Sequence, residues 1–225
     1  MFNSQRLVTM FAKKNLLSLL QILKYKLKVD RKSFVIRHIK NNQPLKILEI
    51  GVHSGDFAIR MLSSISYKNL KNLNYVGIDL FAEMQNIDNY KQEISLWAKS
   101  EKYVYSKIKS KFPMVQVQLH RGYSSKVLLR LEEQFDLIFI DGGHSYATVK
   151  SDWEVSSQFL LREGGVIFFD DYCSLTQSSK SGFGIKQVVD SIDRDKWRVK
   201  IVKAPDFFSK EWGLLVLSVV KVSKK

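Results

Sequence analysis

Four side chains close together in the chain have the right types for shared chemistry: Asp141, His144, Asp170 and Asp171, all within FDLIFIDGGHSYATVKSDWEVSSQFLLREGGVIFFDDY, residues 135–172. Carboxylate oxygens are hard donors suited to Mg²⁺ or a similar divalent ion. An imidazole titrates near neutrality and can accept a proton from a poor nucleophile. Three acids and a histidine therefore read as a metal or acid–base constellation. Asp141, Asp170 and Asp171 are the expected metal ligands, with His144 and Asp141 as alternative general bases. Clustered carboxylates repel one another, and a bound cation relieves that repulsion.

The elements that must position these residues are legible around them. Leu137 to Ile140 and Val166 to Phe169 are unbroken apolar runs, the pattern of parallel strands covered on both faces. Between them Val149, Trp153, Ser156, Ser157 and Leu160 recur at helical spacing, and Gly164-Gly165 is expected to close that helix. Each run ends in acid. In open α/β sheets ligands bind beyond the carboxyl ends of strands. Neighbouring strands lie about 4.8 Å apart, so acids leaving two such ends can converge on one ion.

Upstream, Leu45 to Ile50 predicts a buried strand, Gly51 to Gly55 a glycine-bounded turn, and Asp56 onward a helix. Such a turn presents backbone N–H groups and a positive helix end to an anionic group. Its G-x-x-x-G spacing is neither the dinucleotide fingerprint nor a P-loop. Glu49 would repel a pyrophosphate and suits a cationic ligand. Tyr75 to Leu80 is a second strand, and Asp79 stands where an acid takes the two hydroxyls of a ribose. Residues 82–111 read as helical and lysine-rich, Val115 to Leu119 as a third strand, 125–133 as a helix. A polar loop, Tyr172 to Gly184, precedes a helix over Ile185 to Ile192. Trp197 to Val202 and Gly213 to Val220 have no crossover between them and can pair as an antiparallel hairpin. The expected fold is α/β, a doubly wound, mostly parallel seven-stranded sheet with a C-terminal hairpin, over residues 44–225. A basic amphipathic helical extension is expected over 1–43, with a helix from about Ser33, its N-cap, to Lys40.

The chain has 225 residues and a formal charge of +14. Residues 1–46 hold eleven of the 36 Lys/Arg and one acid, Asp30, so most of the excess charge lies there. The bland reading is a solvated helix face. The sharper ones are a nucleic-acid or anionic membrane partner, or a leucine face (Leu16, Leu17, Leu19, Leu20, Leu23) that packs on the body or a second copy. That leucine run is too short for a membrane span and lacks a signal-peptide cleavage site. Cys173 is the only cysteine, so no intrachain disulfide forms, and a cytoplasmic setting is expected.

Taken together, EIGVHSG, YVGIDL, FDLIFIDGGHSY and GGVIFFDDY resemble the class I S-adenosylmethionine-dependent methyltransferases, and among them the metal-dependent macrocin O-methyltransferase-like family. The resemblance spans residues 44–220. It implies a Rossmann-like methyltransferase fold and a loop from Glu49 to Gly55 (Glu49, Gly51, His53, Ser54, Gly55) that holds the methionine end of the cofactor. It further implies Asp79 on the ribose, Tyr123 and Ser124 beside the adenine, and Asp141, Asp170 and Asp171 on a divalent metal, with His144 as a general base. The implied reaction is O-methylation of a small-molecule or glycan hydroxyl. An RNA or other polymer substrate, and a non-catalytic binding protein on the same fold, are the competing readings.

Overall fold

Each parallel strand alternates two apolar faces, and the two faces build separate cores. In the computed structural model the described residues are 30–84, 98–173, 184–202, 206–210 and 213–225, without the side chains of 203–216. Residues 1–29 of the extension expected over 1–43, and residues 85–97 of the stretch read as helical over 82–111, lie outside them. The strands are β1 (Lys46–Ile50), β2 (Asn74–Asp79), β3 (Gln116–Arg121), β4 (Phe135–Ile140), β5 (Leu161–Cys173), β6 (Trp197–Ile201), β7 (Asp206–Lys210) and β8 (Gly213–Lys224). The principal helices are α1 (Ser33–Asn42), α2 (Asp56–Leu62), α3 (Glu101–Lys111), α4 (Tyr146–Val155) and α5 (Gly184–Ser191).

The sheet order is β3-β2-β1-β4-β5-β8-β6. Strands β1 to β5 run parallel, whereas β8 lies antiparallel between β5 and β6. That is the seven-stranded doubly wound sheet expected from the sequence, with one strand more: β7 pairs with β8 outside the main path. On one face Ile47, Tyr75, Leu137, Phe139 and Phe168 pack with Val35 and Ile39 of α1, Phe57 and Met61 of α2, and Val104 and Ile108 of α3. On the other, Leu48, Ile78, Ile138, Ile167 and Phe169 pack with Val149 of α4 and Val188 and Val189 of α5. Complete burial of side chains this size contributes about 1.5–3 kcal/mol each.

Three local expectations need correction. Gly164-Gly165 do not close a helix: α4 ends at Val155, a π turn runs through Leu160, and both glycines lie inside β5, where its pairing with β4 slips between Phe135 and Leu137. The region 125–133 is one helical turn, Ser124–Val127, followed by a 3₁₀ turn, Leu128–Arg130. Ser33 is the first residue of α1 rather than its cap; its N–H donates to Asp30 Oδ1 at 2.8 Å.

The crossover direction reverses between β1 and β4, which opens a crevice at their carboxyl ends. Backbone bonds fix that rim: Asp141 N–H donates to Ile50 O at 2.8 Å and Gly51 N–H to Ile78 O at 2.8 Å. Gly51 has a φ of 92°, and a Cβ there would stand 2.1 Å from the carbonyl oxygen of Asp141. Only glycine lets these two loops meet.

Candidate active site

A cavity of about 510 Å³ opens at this rim. Glu49, Gly51, His53, Ser54, Asp79, Tyr123, Ser124, Asp141, His144 and Asp171 all line it. Two of the residues picked from sequence lie just outside its wall. Gly55, with a φ of 74°, caps α2, and Asp170 sits behind the wall with a side chain fully shielded from solvent.

The end of β2 is tied to the glycine turn through Asp79. Its Oδ2 accepts the His53 N–H at 2.8 Å and its Oδ1 the Phe81 N–H at 2.7 Å. Both donors have left-handed backbones, φ 54° and 50°, a conformation that costs a non-glycine residue about 1–3 kcal/mol. Each Asp79 oxygen retains a second lone pair for an outside donor. Beside it, Glu49 is fully buried. Its Oε2 accepts from the Tyr75 hydroxyl, while Oε1 has no hydrogen-bond partner among the described residues. Burial pushes the Glu49 carboxyl up to about 8. A ligand ammonium at the cavity wall would give that oxygen a partner and favour the ionised carboxylate over the protonated form.

The three rim acids do converge. One carboxylate oxygen from each of Asp141, Asp170 and Asp171 lies within 4.8 Å of the others. Burial, followed by the charges of Asp170 and Asp171, pushes Asp141 up to about 7 against the pull of Lys32. Burial also opposes ionisation of Asp171, but its bond to His144 and the charge of Arg31 outweigh it and hold that carboxyl below the ordinary range. Asp171 adopts a left-handed φ of 55° and lines the cavity. His144 Nε2 lies 3.1 Å from Asp171 Oδ2, and the His144 carbonyl accepts the Gly184 N–H of α5 at 2.7 Å. The next residue, Ser145, caps α4 by accepting the Thr148 N–H.

Two cationic residues reach the acids that the sequence reading did not connect to them. Arg31 donates from Nε to Asp170 Oδ1 at 2.6 Å, from Nη2 to Asp170 Oδ2 at 2.9 Å and from Nη2 to Asp171 Oδ1 at 2.5 Å. Lys32 donates to Asp141 Oδ2 at 2.6 Å and lies 3.0 Å from Asp170 Oδ2. Its ammonium stands 4.9 Å and 5.3 Å from the ring centroids of Phe57 and Phe139, within cation–π range. One signal could have pointed here: Asp30, the single acid of the basic segment, directly precedes both. A buried acid also went unread, Asp152 on α4, which is fully shielded.

This layout is a strand-end crevice with a glycine turn, an acid on the second strand and an acidic rim. A family model for a methyltransferase domain matches residues 48–172, more than half of the chain. The chain belongs to this methyltransferase family. Among solved structures, this methyltransferase is similar to an O-methyltransferase from Bacillus cereus in complex with SAH. The TM-score is 0.62 and the identity 17%, over 92% of this chain and 90% of that one. It is also similar to the O-methyltransferase TomG from Streptomyces achromogenes, involved in tomaymycin synthesis and solved with SAM. There the TM-score is 0.62 and the identity 14%, over 93% and 89% of the two chains. At these identities the likeness establishes the fold. A curated relative, the uncharacterized protein R132 of Acanthamoeba polyphaga mimivirus, is 25% identical over 158 residues. The match takes in 68% of this chain and 63% of the viral protein, so the chain spans less than two thirds of that relative. Among the described residues no helix is long and apolar enough to cross a membrane.

Proposed function

We propose that this methyltransferase transfers the methyl group of S-adenosylmethionine to a hydroxyl oxygen of a sugar or other small molecule. The observation that carries the reading is the convergence in one cavity of the Gly51 turn, Asp79, the orphaned Glu49 oxygen and the His144–Asp171 pair. When bound, S-adenosylmethionine supplies a methyl on a sulfonium that leaves as a neutral thioether. Asp79 accepts from the ribose hydroxyls with its remaining lone pairs, Glu49 pairs with the methionine ammonium, and Tyr123 and Ser124 flank the adenine. A phosphate cradle is absent from the described turn, and an acid stands in its place, which favours a sulfonium nucleoside over a dinucleotide.

The acceptor hydroxyl must lose its proton as its oxygen takes the methyl. Two neighbours can receive it: His144, or Asp141, whose carboxyl is raised toward neutrality. Asp171 fixes the imidazole of His144 and stabilises its charged form, the orienting role a carboxylate plays beside a histidine base. The three carboxylates fit a hard divalent ion by donor type and spacing, and such an ion, when bound by Asp141, Asp170 and Asp171, would lower the acceptor's pKa.

Calorimetric titration tests the donor assignment. The protein is expected to bind S-adenosylhomocysteine and to ignore NAD, and radiolabelled donor should pass to a member of a hydroxyl-acceptor panel. Tight NAD binding with no response to S-adenosylhomocysteine refutes the reading.

A further inference from the structure

The cations at the rim belong to a built feature. The turn that carries Arg31 and Lys32 is clasped at Asp30, whose carboxylate takes Arg60 of α2 in both arms at 2.7 and 2.9 Å. The same carboxylate accepts the Ser33 N–H at 2.8 Å and the Ser33 hydroxyl at 2.9 Å. Behind the turn, Val35 and Ile39 of α1 are completely buried in the core. In front of it, the Lys32 ammonium rests against two aromatic rings. The turn is therefore fixed on three sides before its two cations meet the acids.

We propose that Arg31 and Lys32 are resident counter-ions of the acid triad, and that this turn and a divalent cation are mutually exclusive occupants of Asp141, Asp170 and Asp171. The inference rests on the cation-seat reading of the triad given above and deepens it. Charge supports it first: one arginine and one lysine supply the same +2 as one Mg²⁺ or Mn²⁺. Geometry supports it next. Every acid of the triad is engaged, and Asp170 has both oxygens on cations. A Mg²⁺ ion sits about 2.0–2.1 Å from its oxygen ligands. An ion bound to Asp141 Oδ2 and Asp170 Oδ2 would compete for the same oxygens with the Lys32 ammonium, which lies 2.6 and 3.0 Å from them. The ion would also meet two positive charges at short range, where repulsion in a poorly solvated rim is severe. Metal entry therefore requires the turn to leave. The position of residues 30–33 then decides whether the acceptor side of the cavity is walled by Arg31 and Lys32 or holds a divalent ion.

The test uses the full chain and Mn²⁺, with free ion counted by electron paramagnetic resonance. The Arg31→Ala/Lys32→Met double variant is expected to bind Mn²⁺ at least tenfold more tightly than wild type, and adding Asp170→Asn should abolish that gain. Equal Mn²⁺ affinity in wild type and the double variant, or no binding by either, overturns the proposal. If the double variant fails to fold, Asp30→Asn decides, because it loosens the clasp and leaves the three acids and both cations intact. Tighter Mn²⁺ binding by that variant supports mutual exclusion, and unchanged binding refutes it. Titration of the same proteins with S-adenosylhomocysteine keeps the two readings apart. Failure to bind it would remove the methyl-donor assignment and leave the cation competition standing.

Discussion

Replacing Asp79 by alanine removes one carboxylate that does two jobs. It buckles the glycine turn to the residues after β2 by accepting the N–H groups of His53 and Phe81 at 2.8 and 2.7 Å. A hydrogen bond to a charged acceptor contributes about 1.5–3 kcal/mol. Two such bonds set an upper range near 3–6 kcal/mol, and because Asp79 is only half-buried, water takes over part of the lost bonding. A stability loss of about 2–4 kcal/mol is therefore expected. His53 and Phe81, freed from the clamp, should relax out of the left-handed backbone they now hold at φ 54° and 50°. The second job is binding. Loss of a charge-assisted ribose contact of about 1.5–3 kcal/mol corresponds to a drop of about 10- to 150-fold in affinity for S-adenosylhomocysteine. Urea unfolding at constant m value measures the first quantity and calorimetry the second. An Asp79→Ala protein within about 0.5 kcal/mol of wild type and within twofold in affinity would refute both roles.

Two further perturbations separate close approach and burial from local propensity. Gly51→Ala would place a Cβ 2.1 Å from the Asp141 carbonyl oxygen, whereas Gly164→Ala, at a φ of 74°, meets nothing within 4 Å among the described residues. The first should cost about 3 kcal/mol or more and abolish S-adenosylhomocysteine binding, the second only the left-handed penalty of about 1–2 kcal/mol; equal melting shifts would refute the close approach. Neither Asp152 oxygen has a hydrogen-bond partner among the described residues, although Ser124 lies near enough to favour ionisation weakly. Burial raises its carboxyl from 3.8 to about 7. A raised acid pKa means that the folded state keeps a proton the unfolded chain releases, so stability is lost as pH rises from about 4 to about 7. The full linkage is on the order of 4 kcal/mol. Asp152→Asn should gain on wild type across that window, and parallel pH–stability curves would refute it.

What was legible in the sequence followed from rules that act locally. Parallel strands covered on both faces must be unbroken apolar runs, so Leu137 to Ile140 and Val166 to Phe169 announced themselves. Asp141 follows the end of β4 as expected, whereas Asp170 and Asp171 lie inside β5, just past its pairing with β4 and at the irregularity in its pairing with β8. The glycine needed where the loops after β1 and β4 meet was visible as Gly51, the first residue of the glycine-bounded turn. Local rules also misled. A Gly-Gly pair after a helical pattern reads as a cap, yet Gly164 and Gly165 belong to β5, because its Leu161 already pairs with Phe135. Strand β7 went unread, since Asp206 and Lys210 bracket a short segment whose pairing comes entirely from β8. Asp152 lies one residue before Trp153, off the face marked by Val149, Trp153 and Leu160, and only packing buries it.

The rim cations show the deeper obstacle. Lysines and arginines crowd residues 1–46, so composition marks all of them as solvated surface, and no spacing rule distinguishes Arg31 and Lys32 from the rest. Their partners stand 109 to 140 residues away. Acids at strand ends obey a rule of topology. The counter-ions that neutralise them obey only Coulomb's law at short range, and any flexible basic side chain tethered near the rim can satisfy it. Asp30, the one residue of opposite sign in that segment, clasps Arg60 and sets the register of the two cations that follow it. A lone acid in a basic segment, directly ahead of adjacent cations and a helix start, is thus the local trace that a charge pairing made at long range leaves in this sequence.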